Sequence, residues 1–179
     1  MAAPVALTGV PGTGKTRVRS LLPDRLRAVE VADLALSWGV GRRVHGGVVV
    51  DLAGLRRRFR RSPPPVDLVV GHLSHLLPVR DVIVLRCHPE VLLRRLARSG
   101  RGSPRERREN FIAEALDLVL IEAVRPHRRV WELDTTRRSA ESVARWVART
   151  VRTRPRSRVG RVDWLADPGV TAHLLEPAA

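Results

Sequence analysis

Short apolar runs that do not alternate with polar residues punctuate this chain, separated by longer segments whose apolar positions recur every three or four residues. Val5-Ala6-Leu7, Val66–Val70, Val82–Leu85 and Val130–Leu133 are of the first kind, as expected for strands buried on both faces of a parallel sheet. A further strand is expected around Leu26–Val31. Helices are expected behind Val18, Leu21 and Leu22 as far as Pro23-Asp24, over Asp33–Trp38 and over Leu52, Leu55 and Phe59. Others are expected from Glu90 to about Arg98 and over Ala140–Val151. A long amphipathic helix is expected to reach about Val124, with Phe111, Ala115, Leu118, Val119 and Glu122 on or beside one stripe. Gly41 through Gly47, around His45, reads as a mobile Gly/Arg-rich loop, Gly71–Pro78 as a helical turn, and Ser99–Pro104 as a flexible loop. Strands alternating with helices predict an α/β fold of three layers, with a parallel central sheet of about five strands and helices on both faces.

One junction carries chemistry. Gly9-Val10-Pro11-Gly12-Thr13-Gly14-Lys15-Thr16 has the spacing G-x-x-x-x-G-K-T between the first strand and a helix, the context in which this pattern marks a phosphate-binding loop. Its glycines allow the turn to wrap closely, so that backbone N–H groups point inward at phosphate oxygens, and the helix that follows adds its positive end. Gly12, Thr13, Gly14, Lys15, Thr16 and Arg17 are the candidate nucleotide contacts. Lys15 is placed for the β- and γ-phosphates, and the Thr16 hydroxyl for Mg²⁺. The expected cofactors are therefore ATP and Mg²⁺.

Composition narrows the setting. The 179 residues, 44% hydrophobic, suffice for one domain with a real core. No apolar run approaches the ~20 residues of a membrane span, so no membrane partner and a cytoplasmic location are expected. A single Cys87 cannot form an internal disulfide, in keeping with a reducing compartment. The net charge of +15 suits association with polyanions such as ribosomal RNA. Lys15 is the only lysine among 33 basic residues. Codon composition explains arginine over lysine, but not the excess over 18 acids. From Arg152 onward, Arg152, Arg154, Arg156, Arg158 and Arg161 alternate with small or polar residues before an apolar hook at Val162–Leu165. This tail reads either as a disordered basic end or as a docking strip for RNA or protein.

Residues 4–151 resemble the adenylate kinase isoenzyme 6 family, P-loop proteins linked to maturation of small-subunit ribosomal RNA. The likeness rests on Gly9–Thr16, on Val69–Leu76 with its Gly71-His72-Leu73-Ser74-His75, and on Val82–Pro89. It rests also on Glu109-Asn110 with Ala113–Asp117, and on Glu132–Thr136, with a fainter echo in Gly160–Trp164. The resemblance implies a nucleoside-monophosphate kinase domain over residues 1–151, with a monophosphate-binding segment at about 32–51 and a lid at about 98–108. Residues 152–179 form a basic tail. It implies AMP or another monophosphate as acceptor, accompanying ATPase activity, and a small-subunit ribosomal protein and rRNA as partners. His72 would line the phosphate site or be a satisfied buried histidine, and Asp33 and Asp51 would serve the monophosphate segment or only cap the helices they begin.

Two positions depart from the family pattern. The acid that usually precedes the GHLSH stretch is absent, its place taken by Val70 or Gly71, and Asp51 is a candidate substitute. The Arg-Gly pair of the lid falls either on Arg101-Gly102 or, with Ser99 before Gly100, is served by Arg98. Arg86, at a strand's carboxyl end, is a candidate for the acceptor phosphate or for a structural ion pair. His72, His75, Cys87 and His88 could be imagined as a zinc set, although they lack the spacing of structural sites. Three functions follow: a monophosphate kinase that also hydrolyses ATP, an ATP-switched ribosome-assembly factor with vestigial kinase activity, and a plain RNA-binding protein. The intact Lys15-Thr16 pair argues against the third.

Overall fold

The computed structural model describes residues 3–176. In chain order its elements are β1 (Val5–Thr8), α1 (Lys15–Arg19), β2 (Ala28–Glu30), α2 (Val31–Ser37), β3 (Gly41–Val44), β4 (Gly47–Val50), α3 (Leu52–Arg61) and β5 (Leu68–Val70). There follow β6 (Asp81–Arg86), α4 (Pro89–Arg98), α5 (Pro104–Ala115), α6 (Leu118–Val124), β7 (Arg129–Asp134), α7 (Ala140–Thr153) and α8 (Pro168–Leu175). Five parallel strands form the central sheet in the order β2-β5-β1-β6-β7. The apolar runs lack alternation because both faces are covered. Ala6, Val69 and Val82 meet α2, α3 and α6 through Leu34, Leu55, Phe59 and Ala123 on one face. Leu7, Val70, Ile83 and Leu85 meet Val18 of α1 and Val143 and Val147 of α7 on the other. From β1 the chain crosses to the edge strand β2, returns inward to β5, then passes over β1 to β6 and out to β7. The change of direction at β1 opens a crevice at the carboxyl ends of the central strands, where α/β sheets collect ligands.

Three segments differ from the sequence expectation, each for a physical reason. The loop around His45 is an antiparallel hairpin, β3 pairing with β4 from Gly41↔Val50 to Val44↔Gly47. His45-Gly46 makes the two-residue turn, with Gly46 at φ +85°. The exposed arginines of β3 hid the strand from a hydrophobicity reading.

The long helix expected to reach Val124 is broken instead into α5 and α6. Asp117 adopts the left-handed conformation at φ 58°, a cost of roughly 1–3 kcal/mol for a residue with a side chain. The break turns the Asp117 carboxylate toward Arg86, which it meets in a short hydrogen bond. It also lets Leu120 and Ala123 pack beneath the sheet while Leu118 of the expected stripe is left exposed.

The basic tail folds back on the domain. Arg158 bridges β7 beside Trp131, donating its N–H to Val130 and accepting from Glu132 N–H, so the last strand's edge is covered. The Trp164 indole N–H donates to Glu114 Oε1 at 3.0 Å. Val170 of α8 is fully buried against Phe111 and Ala115 of α5. Arg154 is held at Asp81 with Arg129, whereas Arg152, Arg156, Arg158 and Arg161 are exposed. Deleting residues 160–179 should therefore lower stability by about 3 kcal/mol, since burial of one Val alone contributes ~1.5 kcal/mol or more. Chemical denaturation of the truncated chain checks this, and an unchanged midpoint would show that the tail merely rests on the surface.

Candidate active site

The phosphate-binding loop leaves β1 at Gly9, where φ is +138° and an added Cβ would stand 2.3 Å from the Leu85 carbonyl oxygen. Only glycine lets β1 and β6 approach this closely and still release the loop. The loop is fastened from both sides. Thr13 N–H and Oγ1 donate to the Val10 carbonyl at 3.2 and 2.9 Å, and Thr135 Oγ1, at the end of β7, donates to the Thr13 carbonyl at 3.2 Å.

Lys15 lies over the loop with 9% of its surface exposed. Its Nζ donates to the Gly9 carbonyl at 2.6 Å and the Val10 carbonyl at 3.0 Å. The ammonium thus occupies the mouth of an anion cradle and uses the loop's own carbonyls as partners. Burial pushes its pKa down to about 8, against the opposing pull of the Glu114 and Glu30 carboxylates. Two pH effects follow, of opposite sign. Bound phosphate favours the charged form, so nucleotide affinity should fall as pH rises past 8 and binding there should take up protons. Fold stability behaves in the reverse way: between about 8 and the ordinary value of 10.5 the unfolded chain holds the extra proton, so Lys15's contribution to stability rises with pH. Calorimetry at pH 8.5 in buffers of different ionisation enthalpy reads the proton uptake directly, and buffer-independent heats would contradict it.

A cleft of about 550 Å³ opens in front of the loop. Its lining includes Gly12, Gly14, Lys15, Thr16, Arg17, His72 and Arg101 from the sequence candidates. The sequence reading missed Glu30 at the end of β2 and Arg95 and Ser99 at the end of α4. Thr13 lines the adjoining hollow beside Arg17, Arg95 and Thr135. Arg95 lies on the cleft side of α4 and donates to the Thr135 and Thr136 carbonyls at 3.1 and 3.2 Å. It differs from the exposed Arg94 beside it only in helical phase, a signal the sequence contained. His72 is exposed at the cleft, and partial burial of its ring, then the nearby Lys15 and His75, lower its pKa, which favours the neutral imidazole with one donor and one acceptor.

Other candidates lie elsewhere. Arg98 is exposed and is not among the residues lining the cleft. Asp33 is exposed in the first turn of α2, and Asp51 caps α3, accepting from Gly54 N–H at 2.9 Å. Arg86 is the clearest correction. It is 1% exposed and enclosed by carboxylates, with Nε and Nη1 donating at 2.7 Å to Glu114 and Glu132 and Nη2 donating to Asp117. Three acids leave it no capacity for an acceptor phosphate. Nor do the His and Cys residues form a zinc set. His75 is hydrogen-bonded through both nitrogens, to Thr8 Oγ1 and Glu122 Oε2 at 2.8 Å each. The buried Cys87 thiol is pushed up to about 11 by burial, and among the described residues no group of three or more His, Cys, Asp or Glu is arranged to hold a metal.

The site does suit Mg²⁺ carried on nucleotide phosphates. Thr16 and Glu30 offer hard oxygen donors on the wall of the same cleft, and this ion keeps most of its shell as water and phosphate oxygen.

Comparison with known proteins agrees with this geometry. A family model described as "AAA domain" matches residues 5–117. A protein of Thermococcus onnurineus named "Putative adenylate kinase" is 40% identical over 163 residues, 89% of this chain and 90% of its own length. One of Pyrococcus abyssi with the same name is 40% identical over 164 residues, with the same shares of the two chains. Among solved structures, shikimate kinase from Acinetobacter baumannii shares the fold at a TM-score of 0.55 and 14% identity, over 86% of this chain and 95% of its own. At such identity the last likeness speaks for the three-layer P-loop kinase fold alone. The two closer matches extend past the nucleotide loop into the tail-bearing half of the molecule, and with them the chain belongs to the P-loop kinase family that these archaeal proteins represent.

Proposed function

We propose that this protein is an adenylate kinase of broad monophosphate tolerance, transferring the γ-phosphoryl group of ATP to AMP and, more slowly, to water. One observation carries the reading: Lys15, seated in the mouth of the loop, shares a single cleft with Arg95, Arg101 and His72. Phosphoryl transfer demands alignment of donor and acceptor and neutralisation of charge on the transferred group, with little covalent work by the protein. Lys15 would leave the Gly9 and Val10 carbonyls for the β- and γ-phosphates. Arg101, in the lid at about 98–108, and Arg95 would approach the transferred group from the other wall, with Arg98 held outside. The acceptor would be received along residues 32–51, where the β3–β4 hairpin forms a small unit beside α2. His72, as the neutral imidazole, would orient a phosphate oxygen or a water. Magnesium, when bound, neutralises charge on the β- and γ-oxygens. A cytoplasmic setting goes with this reading, Cys87 being a free thiol.

A second role rests on the distribution of charge. Toward the amino ends of the strands, away from the cleft, Arg25, Arg145, Arg149 and Arg152 line a groove of about 690 Å³ between the region after α1 and α7. That surface suits an RNA backbone. With that surface we read the chain as one of the isoenzyme 6 group, with a part in small-subunit rRNA maturation and a ribosomal protein as a further partner. In the alternative reading, the nucleotide cycle would drive assembly and the kinase reaction would be vestigial.

Measuring ADP formed from ATP with and without AMP, and with other monophosphates in its place, separates these. A kinase forms ADP chiefly when an acceptor is present. An assembly factor with vestigial transfer shows ADP formation that no acceptor accelerates.

A further inference from the structure

The acid expected beside the GHLSH stretch is missing, and neither position that could carry it would accept one. Val70 is 1% exposed inside the apolar layer under α1 and α7. Gly71 has φ +151°, and an added Cβ would meet Val31 Cγ2 at 3.1 Å. Across the sheet ladder, however, Val70 is paired in register with Glu30, the last residue of edge strand β2. Registered residues of neighbouring parallel strands share a face, and Val70 packs with Val18 of α1. Glu30 therefore points to the α1 side of the sheet. There its Oε1 lies 3.9 Å from Arg19 Nη1. Arg19 and Thr16 are three residues apart on α1, which makes them neighbours on one helix face. Glu30 and Thr16 line the same cleft.

Glu30 also has an unmet requirement. Its Oε1 is screened from solvent and accepts no hydrogen bond, a state that costs roughly 1–3 kcal/mol for a polar atom and that in a native protein calls for an explanation. The sequence's candidate substitute, Asp51, is not among the residues lining the cleft and accepts from Gly54 N–H, while Glu114 accepts from Arg86, Cys87 N–H and Trp164.

Resting on the proposal that this cleft binds Mg²⁺·ATP, we propose that Glu30 is the outer-shell carboxylate of the site, accepting hydrogen bonds from water on the nucleotide-borne Mg²⁺ whose inner shell includes Thr16 Oγ1. The acidic function has moved one strand sideways, from β5 to β2. Without the ion, the same carboxylate repels the triphosphate, so Glu30 makes nucleotide binding depend on Mg²⁺.

Titration calorimetry with the non-hydrolysable analogue AMP-PNP, in EDTA and in excess Mg²⁺, tests this on wild type, Glu30→Gln and Arg19→Gln, each verified as folded by circular dichroism. Wild type should bind more tightly with Mg²⁺. In Glu30→Gln that Mg²⁺-dependent gain should shrink by about 10–100-fold, the usual penalty for losing an outer-shell partner, while affinity in EDTA stays equal or rises. Arg19→Gln should keep the gain, because it removes only the ion pair. An undiminished gain in Glu30→Gln, or the same loss in Arg19→Gln, would overturn the assignment. Absence of AMP-PNP binding by wild type in both buffers would instead reject the nucleotide site itself.

Discussion

Arg86→Met should destabilise the protein by about 3–5 kcal/mol, a large share of the 5–15 kcal/mol typical of a domain. Among the described residues the guanidinium is the one cation ion-paired with Glu114, Glu132 and Asp117, two of which are almost wholly buried. Through them it fastens β6 to β7, to the end of α5 and to the start of α6. The tail is drawn into the same arrangement, since Glu114 also accepts from Trp164 Nε1 and Glu132 Oε2 accepts from Arg161 N–H at 3.0 Å. Burial already holds the Glu114 carboxyl above its usual range, with Arg86 as the main opposing influence. Without that cation Glu114 would fold protonated. A carboxyl whose folded pKa exceeds its unfolded value contributes stability below the unfolded pKa and loses it as pH rises through the folded one. The deficit of Arg86→Met should therefore be smaller at pH 5 than at pH 8. Urea denaturation at the two pH values tests both parts, and a variant as stable as wild type would mean that the cluster does not organise the fold.

Lys15→Met should reduce turnover by at least about 10²–10³-fold, the scale on which one preorganised charge stabiliser acts, and leave a folded protein. The second half of the expectation is the more informative. The ammonium is buried and its pKa is depressed to about 8, so at neutral pH its charge burdens the folded state. Methionine fills similar space without that burden. The variant should thus be no less stable than wild type, the usual exchange of stability against function at a working site. Unaltered turnover would refute the site, and a large loss of stability would show that the bonds to the Gly9 and Val10 carbonyls matter more for folding than the desolvation of the charge.

Much of this was legible in the sequence because local rules and tertiary demands coincide. The non-alternating runs became the strands they suggested, since a doubly covered parallel sheet needs nothing but apolar residues at those positions. The loop from Gly9 to Thr16 was readable because its chemistry is carried by the backbone and two adjacent side chains. What escaped was decided by partners far away in sequence. Asp117 breaks a helix that its own neighbourhood favours because Arg86, 31 residues earlier, needs its carboxylate. Within the stretch from Ala113 to Asp117, Glu114 and Asp117 belong to this buried cluster and not to the cleft lining. Glu30 was overlooked for a similar reason: its position beside Val70 exists only once β2 pairs with β5, 40 residues later. The tail's alternating arginines left a disordered end open as one of two readings, and Trp164 and Val170 tie that segment down.

The central claim is that this cleft delivers a phosphoryl group to a nucleoside monophosphate. Following the label from γ-³²P-ATP in the presence of AMP tests it most directly. The claim predicts that label appears in the β-position of ADP in step with AMP consumed, with little inorganic phosphate, and that both vanish in Lys15→Met. Label released chiefly as inorganic phosphate, at a rate indifferent to AMP, would contradict it.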